Sequence, residues 1–381
     1  MLLILLTLTL IIWIAATIDA AIGFSKLDSL EKARDIETGA LLSVIVAARN
    51  EEKHIQLSVQ SQLVQTYQNV EWILVNDRSD DKTGSMMDEL KEIDSRVKVI
   101  HLTSLPEGWL GKNHALFEGY QQASGSRILF TDADVMYSPG AFAKAVGYFE
   151  AHELDHMTAA PDLSAKPFWL KAFVAFFLFG FSYYKRPWLA NNPKSKTGIG
   201  IGAFNMVTID AYKKIGTHEQ IKMRPDDDLQ LGRKVKEAGL KQRMVTALKL
   251  IEVEWYPNLK EALAGLEKNT FAGLHYRISM VLFSIFGVFV SQVVPFFTIF
   301  SNTKAIAMLS AINLIFLASL YTMVTKKMTR FSPFLFFALP FTALLFIFSI
   351  IRASYLTFKR GGIIWRGTKY TLNELRKKND L

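Results

Sequence analysis

The stretch Phe130-Thr131-Asp132-Ala133-Asp134-Val135 is an apolar strand that runs into two carboxylates spaced two residues apart. On an extended backbone, side chains at i and i+2 share a face, so Asp132 and Asp134 are placed to approach one cation. Carboxylate oxygens suit Mg²⁺ or Mn²⁺, hard ions that keep coordination positions open for substrate phosphates. Asp226 and Asp228 repeat the spacing, and an isolated Asp-x-Asp carries little weight. The surroundings decide what it means.

Around that stretch, short β-rich runs alternate with helical ones. The pattern predicts strands at Leu42 to Ala47, Val70 to Asp77, Val97 to Leu102 and Arg127 to Thr131. Helices are predicted at Glu51 to Val64, Asp81 to Ile93, Lys112 to Ala123 and Pro139 to Glu150. Alternation of this kind, with nearly continuous apolar strands, predicts an α/β fold with a Rossmann-like, mainly parallel sheet covered on both faces. Ligands bind such sheets beyond the carboxyl ends of the strands. Polar residues gather at those ends: Arg49, Asn50 and Glu51 after the first strand, Asn76, Asp77 and Arg78 at the second, Asp132 and Asp134 at the fourth. Any one group could be a cap or a turn. Three on one edge favour a common site.

Further along, Lys194 to Gly202 is Gly-rich and basic and reads as a mobile loop that lets Gly202 come close to phosphate or sugar. Pro225-Asp226-Asp227-Asp228-Leu229 opens a helix with Leu231, Val235 and Ala238 on one face and a stop at Gly239. Acids suit a helix N-terminus, but three in a row exceed what a cap needs. One of them can act as a general base whose pKa is raised by its neighbours' charge. Leu250 to Trp255 reads as a strand, and Leu259 to Tyr276 as an amphipathic helix along a membrane surface.

The chain has 381 residues, half of them hydrophobic, and a formal charge of +9. That accommodates one large soluble domain plus membrane segments. Beside long apolar runs, the basic excess points to cytoplasmic flanks of membrane helices and not to nucleic acid. Absence of cysteine excludes disulfides, Cys-ligated zinc and thiol catalysis. Leu2 to Ala16, continuing weakly to Ile22, reads as an anchor: a signal peptide would carry a basic n-region, and later spans follow. Those spans are Ile278 to Phe300, Ala305 to Val324 and Phe331 to Leu356.

Phe168 to Tyr184 is an aromatic run. As a single span it would put Asp134 and Asp228 on opposite sides of the membrane, so it reads as an interfacial helix, with a buried helix as the alternative. Basic residues flank both ends of the last span. Either the tail lies outside or one C-terminal segment is re-entrant, with Pro295, Pro333 and Pro340 as break points. The expected division is an anchor at 1–23, a linker at 24–40, a catalytic domain at 41–276, membrane segments at 277–357 and a basic tail at 358–381. The protein is expected in the cell membrane as a multi-pass protein with its catalytic domain cytoplasmic. Nothing in the sequence sets the oligomeric state.

Four ordered motifs carry a resemblance. They are Leu42 to Glu52 (LSVIVAARNEE), Val75 to Asp81 (VNDRSDD), Phe130 to Val135 and Asp227 to Gly232 (DDLQLG). In order and spacing the chain resembles membrane-anchored family-2 glycosyltransferases with a GT-A fold over roughly residues 40 to 275. Pro106 to Leu116 (PEGWLGKNHAL) and the late Trp365-Arg366-Gly367 are similar to the lipid-directed branch, near ceramide glucosyltransferases and carotenoid- and hopanoid-associated enzymes. The resemblance implies that Asp77 contacts the nucleotide base and Lys112 the diphosphate. It further implies that Asp132 and Asp134 hold the donor through Mg²⁺ or Mn²⁺, and that Asp228, with Asp227 beside it, is the catalytic base. Asn50, Glu51, Gly202, Trp365 and Arg366 join the substrate-binding candidates.

Two departures from the pattern stand out. Asn76 replaces the first acid of the usual Asp-Asp pair, and no Gln-x-x-Arg-Trp occurs. The second favours transfer of one sugar over polymer synthesis. The expected reaction is inverting transfer from a nucleotide-diphospho-sugar, a UDP-sugar by family expectation, to a hydroxyl or carboxyl of a membrane lipid. The rivals are a processive polysaccharide synthase and a membrane scaffold with a degenerate nucleotide fold.

Overall fold

The computed structural model describes residues 1–365 and 368–371. The first half of the chain runs α1 (Leu2–Ser25), β1 (Leu42–Ala48), α2 (Ile55–Leu63), β2 (Val70–Asp77), α3 (Thr83–Ile93), β3 (Val97–Leu102), α4 (Gly111–Gln121), β4 (Arg127–Asp132), β5 (Val135–Tyr137), α5 (Ala141–Ala151), β6 (His156–Ala160), β7 (Asp162–Ser164) and α6 (Phe168–Lys185). It continues with β8 (Asn205–Thr208), α7 (Ile209–Lys214), α8 (Asp227–Glu237), β9 (Gln242–Thr246), β10 (Ile251–Glu254), α9 (Leu259–Gly273), α10 (Ile278–Gln292), α11 (Val294–Thr298), α12 (Lys304–Met328), α13 (Leu339–Arg360) and a hairpin, β11 (Gly362–Trp365) with β12 (Thr368–Thr371). These elements fall into two units. One is Gly23–Leu163 with Lys185–Glu254, the other Met1–Ile22, Ser164–Tyr184 and Trp255–Leu381.

In the first unit, seven strands form a sheet in the order β3-β2-β1-β4-β8-β6-β9. Every residue of β2 is buried, as a strand covered on both faces requires. Alternate side chains feed two cores. Val44, Val46, Trp72, Leu74 and Leu129 pack with Ile55, Met87 and Phe142; Ile45, Ile73, Val75 and Phe130 pack with Leu116, Leu231 and Val235. Strands β1 to β4 pair in parallel, and Ala47 is level with both Val75 and Asp132. The ends of β2 and β4 therefore open on one edge, the place where polar residues cluster in the sequence.

Beyond β4 the sheet changes direction, which the alternating pattern does not reveal. Strand β8 runs antiparallel to β4 and β6, and β9 is parallel to β6. A smaller sheet, β5-β10-β7, adjoins these strands in sequence. The helix expected from Glu51 begins only at Ile55, because cross-loop bonds hold the residues before it. The N–H groups of Asn50, Glu51 and Glu52 donate to Ser79 Oγ, Thr83 Oγ1 and Asp81 Oδ2.

The Asp132-Ala133-Asp134 stretch also differs from an extended strand. β4 stops at Asp132, and Ala133 and Asp134 form a turn into β5. The same-face argument for i and i+2 does not apply there. A turn, not strand alternation, sets the second carboxylate near the first. It is anchored from below, where Thr131 Oγ1 and Tyr137 OH both donate to Ala203 O, at 2.9 and 2.6 Å.

The second unit is helical. Four of its helices, Leu2–Ser25, Ile278–Thr298, Lys304–Met328 and Pro333–Arg360, are long and apolar enough to cross a membrane. Pro295, Pro333 and Pro340 each sit in the first turn of a helical segment, where a missing N–H leaves no intrahelical bond unmade. Polar side chains link the apolar helices. Thr9 Oγ1 donates to Asn313 Oδ1 at 3.0 Å, and Asn313 Nδ2 donates to Leu6 O at 2.9 Å, bonds that favour association where no water competes. Helix α6 packs its middle against this group through Trp13–Phe179, Phe179–Tyr321 and Phe176–Phe346 ring contacts. Phe168, Trp169 and Tyr184, near its two ends, are exposed. On α9, Glu267 bonds Arg352 and Arg360 of α13 at 2.8 and 2.6 Å. The side chain of Trp365 and the whole of Arg366 lie outside the described residues.

Candidate active site

At the open edge of the sheet, Lys112, Asp132, Gly202, Asp227 and Asp228 line one pocket, together with Phe130 and His218. Lys112 comes from the first turn of α4, Asp132 from the end of β4, and the two acids from the N-terminus of α8. Asn113, next to Lys112, fixes the approach to α8 by donating to Ile221 O and Arg224 O at 2.7 and 3.0 Å. Asp226 serves as a local tether, bonding Arg224 at 2.9 Å and Gln230 at 2.8 Å. It leaves Asp227 and Asp228 to face the pocket.

Lys112 is the counter-charge of the group. Its Nζ lies 2.7 Å from Asp132 Oδ1 and 3.5 Å from Asp227 Oδ2. Burial alone would push the ammonium pKa down, but Asp132, Asp227 and Asp228 hold it above its ordinary value. Burial raises Asp228, and the charge of Asp227 raises it further. Asp227 is raised too, by burial first, with Lys112 opposing. Both oxygens of Asp228 are held: Gly202 N–H donates to Oδ2 at 2.9 Å and Leu229 N–H to Oδ1 at 2.8 Å. A carboxylate so held keeps one orientation.

The glycines of the loop at 198–202 also serve close packing. A Cβ on Gly200 would lie 1.9 Å from Asp228 O, one on Gly198 2.1 Å from Gly232 O, and one on Gly202 2.4 Å from Asp132 Oδ2. They let the loop lie directly on α8 and on the end of β4. Gly202 O also accepts from Asp132 N–H at 3.1 Å, so one residue spaces and joins the two acidic elements.

Asp134 stands beside this pocket. Its carboxyl is pushed up to about 6 by burial and by the charges of Asp132 and Glu51. A carboxylate raised by its neighbours' charge is suited to a hard cation, which relieves the repulsion. Among the described residues, no group of three or more His, Cys, Asp or Glu side chains forms a metal cage. Asn50 and Glu51 lie in the loop bonded to the β2–α3 turn, where Asn50 Oδ1 accepts from Asp80 N–H at 2.9 Å. Asp77 is buried, with Arg78 Nε 2.7 Å from its Oδ1. A Cβ on Gly111, just before Lys112, would fall 2.2 Å from Asp77 Oδ2. His218 is a pocket residue that the sequence does not single out. Its imidazole packs 4.9 Å from the Phe130 ring, and burial, with Lys112 nearby, pushes it down to about 3. No periodicity marks it, since only the folded chain brings it to Phe130.

The profile of the Glycosyl transferase family 2 matches residues 43–216, which hold the sheet edge, Lys112, Asp132 and Asp134. Residues 43–216 form a glycosyl transferase family 2 domain. Asp227 and Asp228 of the pocket lie just beyond the matched stretch. The domain is similar to an uncharacterized glycosyltransferase of Haemophilus influenzae, 38% identical over 124 residues, which is 32% of this chain and 36% of that protein. It is also similar to a 4,4'-diaponeurosporenoate glycosyltransferase of Staphylococcus haemolyticus, 34% identical over 107 residues, 28% of each chain. The matched stretch thus spans about a third of the length of these curated relatives. In fold, the chain is similar to a mannosyltransferase from Pyrobaculum calidifontis solved with GDP-Man and Mn²⁺. The TM-score is 0.54 at 15% identity, covering 94% of this chain and 98% of that one.

Proposed function

We propose that the protein moves one sugar, with inversion, from a nucleotide-diphospho-sugar to a hydroxyl of a lipid acceptor. The observation that carries this reading is the held carboxylate of Asp228, raised in pKa and set across a pocket from Lys112 and Asp132. A base must combine basicity with a fixed direction, and this group has both. It takes the proton as the acceptor oxygen bonds to the anomeric carbon and the bond to the diphosphate breaks. Lys112 supplies a fixed positive charge for the departing diphosphate, Asp77 contacts the base, and Asn50, Glu51 and Gly202 shape the donor pocket. Asp132 and Asp134 would hold Mg²⁺ or Mn²⁺, whose charge stabilises the leaving group when it is bound. The name of the Staphylococcus relative supports a lipid-type acceptor, and four apolar helices support a membrane location. The catalytic unit is assigned to the cytoplasm, where nucleotide-sugars are made.

Incubating the protein in membranes with labelled UDP-glucose or GDP-mannose, Mn²⁺ and a lipid extract tests the reading. Label should appear in a lipid of discrete mass. Label that accumulates only in long polymer, or in no product at all, would sink it. Asp134 adds a pH expectation. Raised to about 6, it is protonated below that value and cannot ligate, so Mn²⁺ affinity should fall by up to roughly tenfold per pH unit below pH 6. Electron paramagnetic resonance titrations of Mn²⁺ with UDP present check this; an affinity independent of pH would remove Asp134 from the ligand set.

A further inference from the structure

A buried polar chain, given no role in the chemistry just described, reaches the pocket at Asn205, which helps to line it. His156 on β6 is fully buried between two amides, Asn205 at the start of β8 and Gln242 at the start of β9. Its Nε2 is 3.2 Å from Asn205 Oδ1, and its Nδ1 is 3.0 Å from Gln242 Nε2. Both amides continue to the glycine loop. Ile199 N–H donates to Gln242 Oε1 at 3.1 Å, and Ile201 N–H to Asn205 Oδ1 at 3.3 Å. The other hydrogen of Gln242 Nε2 goes to Gly232 O on α8 at 2.9 Å.

The backbone fixes every polarity in this chain. Two loop N–H groups demand acceptors, so the amide oxygens of Gln242 and Asn205 must face the loop. Gln242 then presents N–H to His156 Nδ1, which must accept, and His156 Nε2–H must donate to Asn205 Oδ1. Only one neutral tautomer satisfies all the groups. Burial pushes the imidazole down to about 4, so that neutral form is the one present at physiological pH.

We propose that His156 is a positioning residue: through Asn205 and Gln242 it locks the loop at 198–202 onto α8, and so aims the Gly202 N–H at the Asp228 carboxylate. This rests on Asp228 being the base. The loop sits close to α8, where Gly198 and Gly200 meet Gly232 O and Asp228 O without room for a methyl group, and Ile199 between them is buried. An unmade bond in a buried, coupled set is costly, and the loop that carries Gly202 is the part free to move in response. Glutamine can replace both functions of the imidazole, accepting with its oxygen and donating with its amide nitrogen. Leucine can replace neither.

The test uses the full-length protein in membranes, reading nucleoside diphosphate release from UDP-glucose or GDP-mannose, whichever is turned over, with binding of UDP in Mn²⁺ as a second readout. His156→Leu should lower kcat by about 10²-fold with donor KM and UDP affinity nearly unchanged, as a misaimed base would. His156→Gln should recover most of the loss, and hydrogen exchange should rise in the peptide covering 198–204 of the leucine variant. Should His156→Leu fail to fold, Gln242→Met, of similar shape, should give the same split. Undiminished kcat in the leucine variant, alongside an inactive Asp228→Asn, overturns this proposal and leaves the catalytic reading standing. So does a loss of kcat and UDP affinity together that His156→Gln does not rescue. An active Asp228→Asn overturns the catalytic reading and, with it, the purpose assigned to the tether.

Discussion

Replacing Asp228 with asparagine is expected to lower kcat on a hydroxyl acceptor by about 10²–10⁴-fold while leaving the donor KM within about threefold. The asparagine has the same shape, so the pocket keeps its form, but it cannot take a proton. Stability should move the other way, or not at all. A carboxyl whose folded pKa is raised stabilises the fold only below that pKa, and its contribution is lost as the pH rises through it. Asp228, raised by burial and by Asp227, therefore weighs against folding at neutral pH. The amide removes that penalty and forfeits one of two N–H bonds, from Gly202 or Leu229. The melting temperature should not fall. Steady-state kinetics with a melt on the same sample check both halves, and a variant with kcat within about threefold of wild type would remove Asp228 from the base position.

The part of the site that sequence displays is the part built on β1, β2 and β4. Runs such as Val44-Ile45-Val46 and Trp72-Ile73-Leu74-Val75 announce buried strands, and polar residues gather where those strands end. The predicted limits of the second and third strands, Val70 to Asp77 and Val97 to Leu102, coincide with those of β2 and β3. The sheet beyond β4 is illegible for a physical reason. Strands β6, β8 and β9 carry His156, Thr158, Asn205 and Gln242 in buried positions, and a pattern rule that equates burial with apolar character passes over them. Their polarity is tolerated because His156, Asn205 and Gln242 satisfy one another and the glycine loop, while Thr158 donates to Phe204 O. Gly198, Gly200 and Gly202 suggest a loop that moves and approaches a ligand closely; their close packing on α8 and on the end of β4 is not visible in the sequence. Asp132 and Asp134 come near each other through a turn, where their spacing in the sequence suggests a shared strand face.

Lys112 offers the largest expected effect on stability. It is the cation facing Asp132, Asp227 and Asp228, with a side chain 17% exposed against 38% for Asp132. Lys112→Met keeps the length and apolar stem and removes the charge, leaving carboxylates with their repulsion uncompensated. Breaking a buried pair in this way costs about 3–5 kcal/mol, and the lower end applies because water screens the half-exposed Asp132. The loss depends on pH. Without the ammonium, Asp227 and Asp228 rise further, so the variant is weakest above their folded pKa values and regains stability as acid neutralises them. The gap between the wild-type and Lys112→Met melting temperatures should therefore narrow from about pH 8 to about pH 5. Mn²⁺ should narrow it as well at neutral pH, because a cation near Asp132 replaces part of the lost charge and binds the folded state alone. A gap that ignores both acid and Mn²⁺ would mean that Lys112 contributes packing and not charge. The same variant should be nearly inactive even when folded, since the diphosphate would lose its fixed cation, and Mn²⁺ should not restore turnover. Recovery of stability without recovery of activity would separate the two tasks assigned to this lysine, holding the empty pocket together and receiving the leaving group.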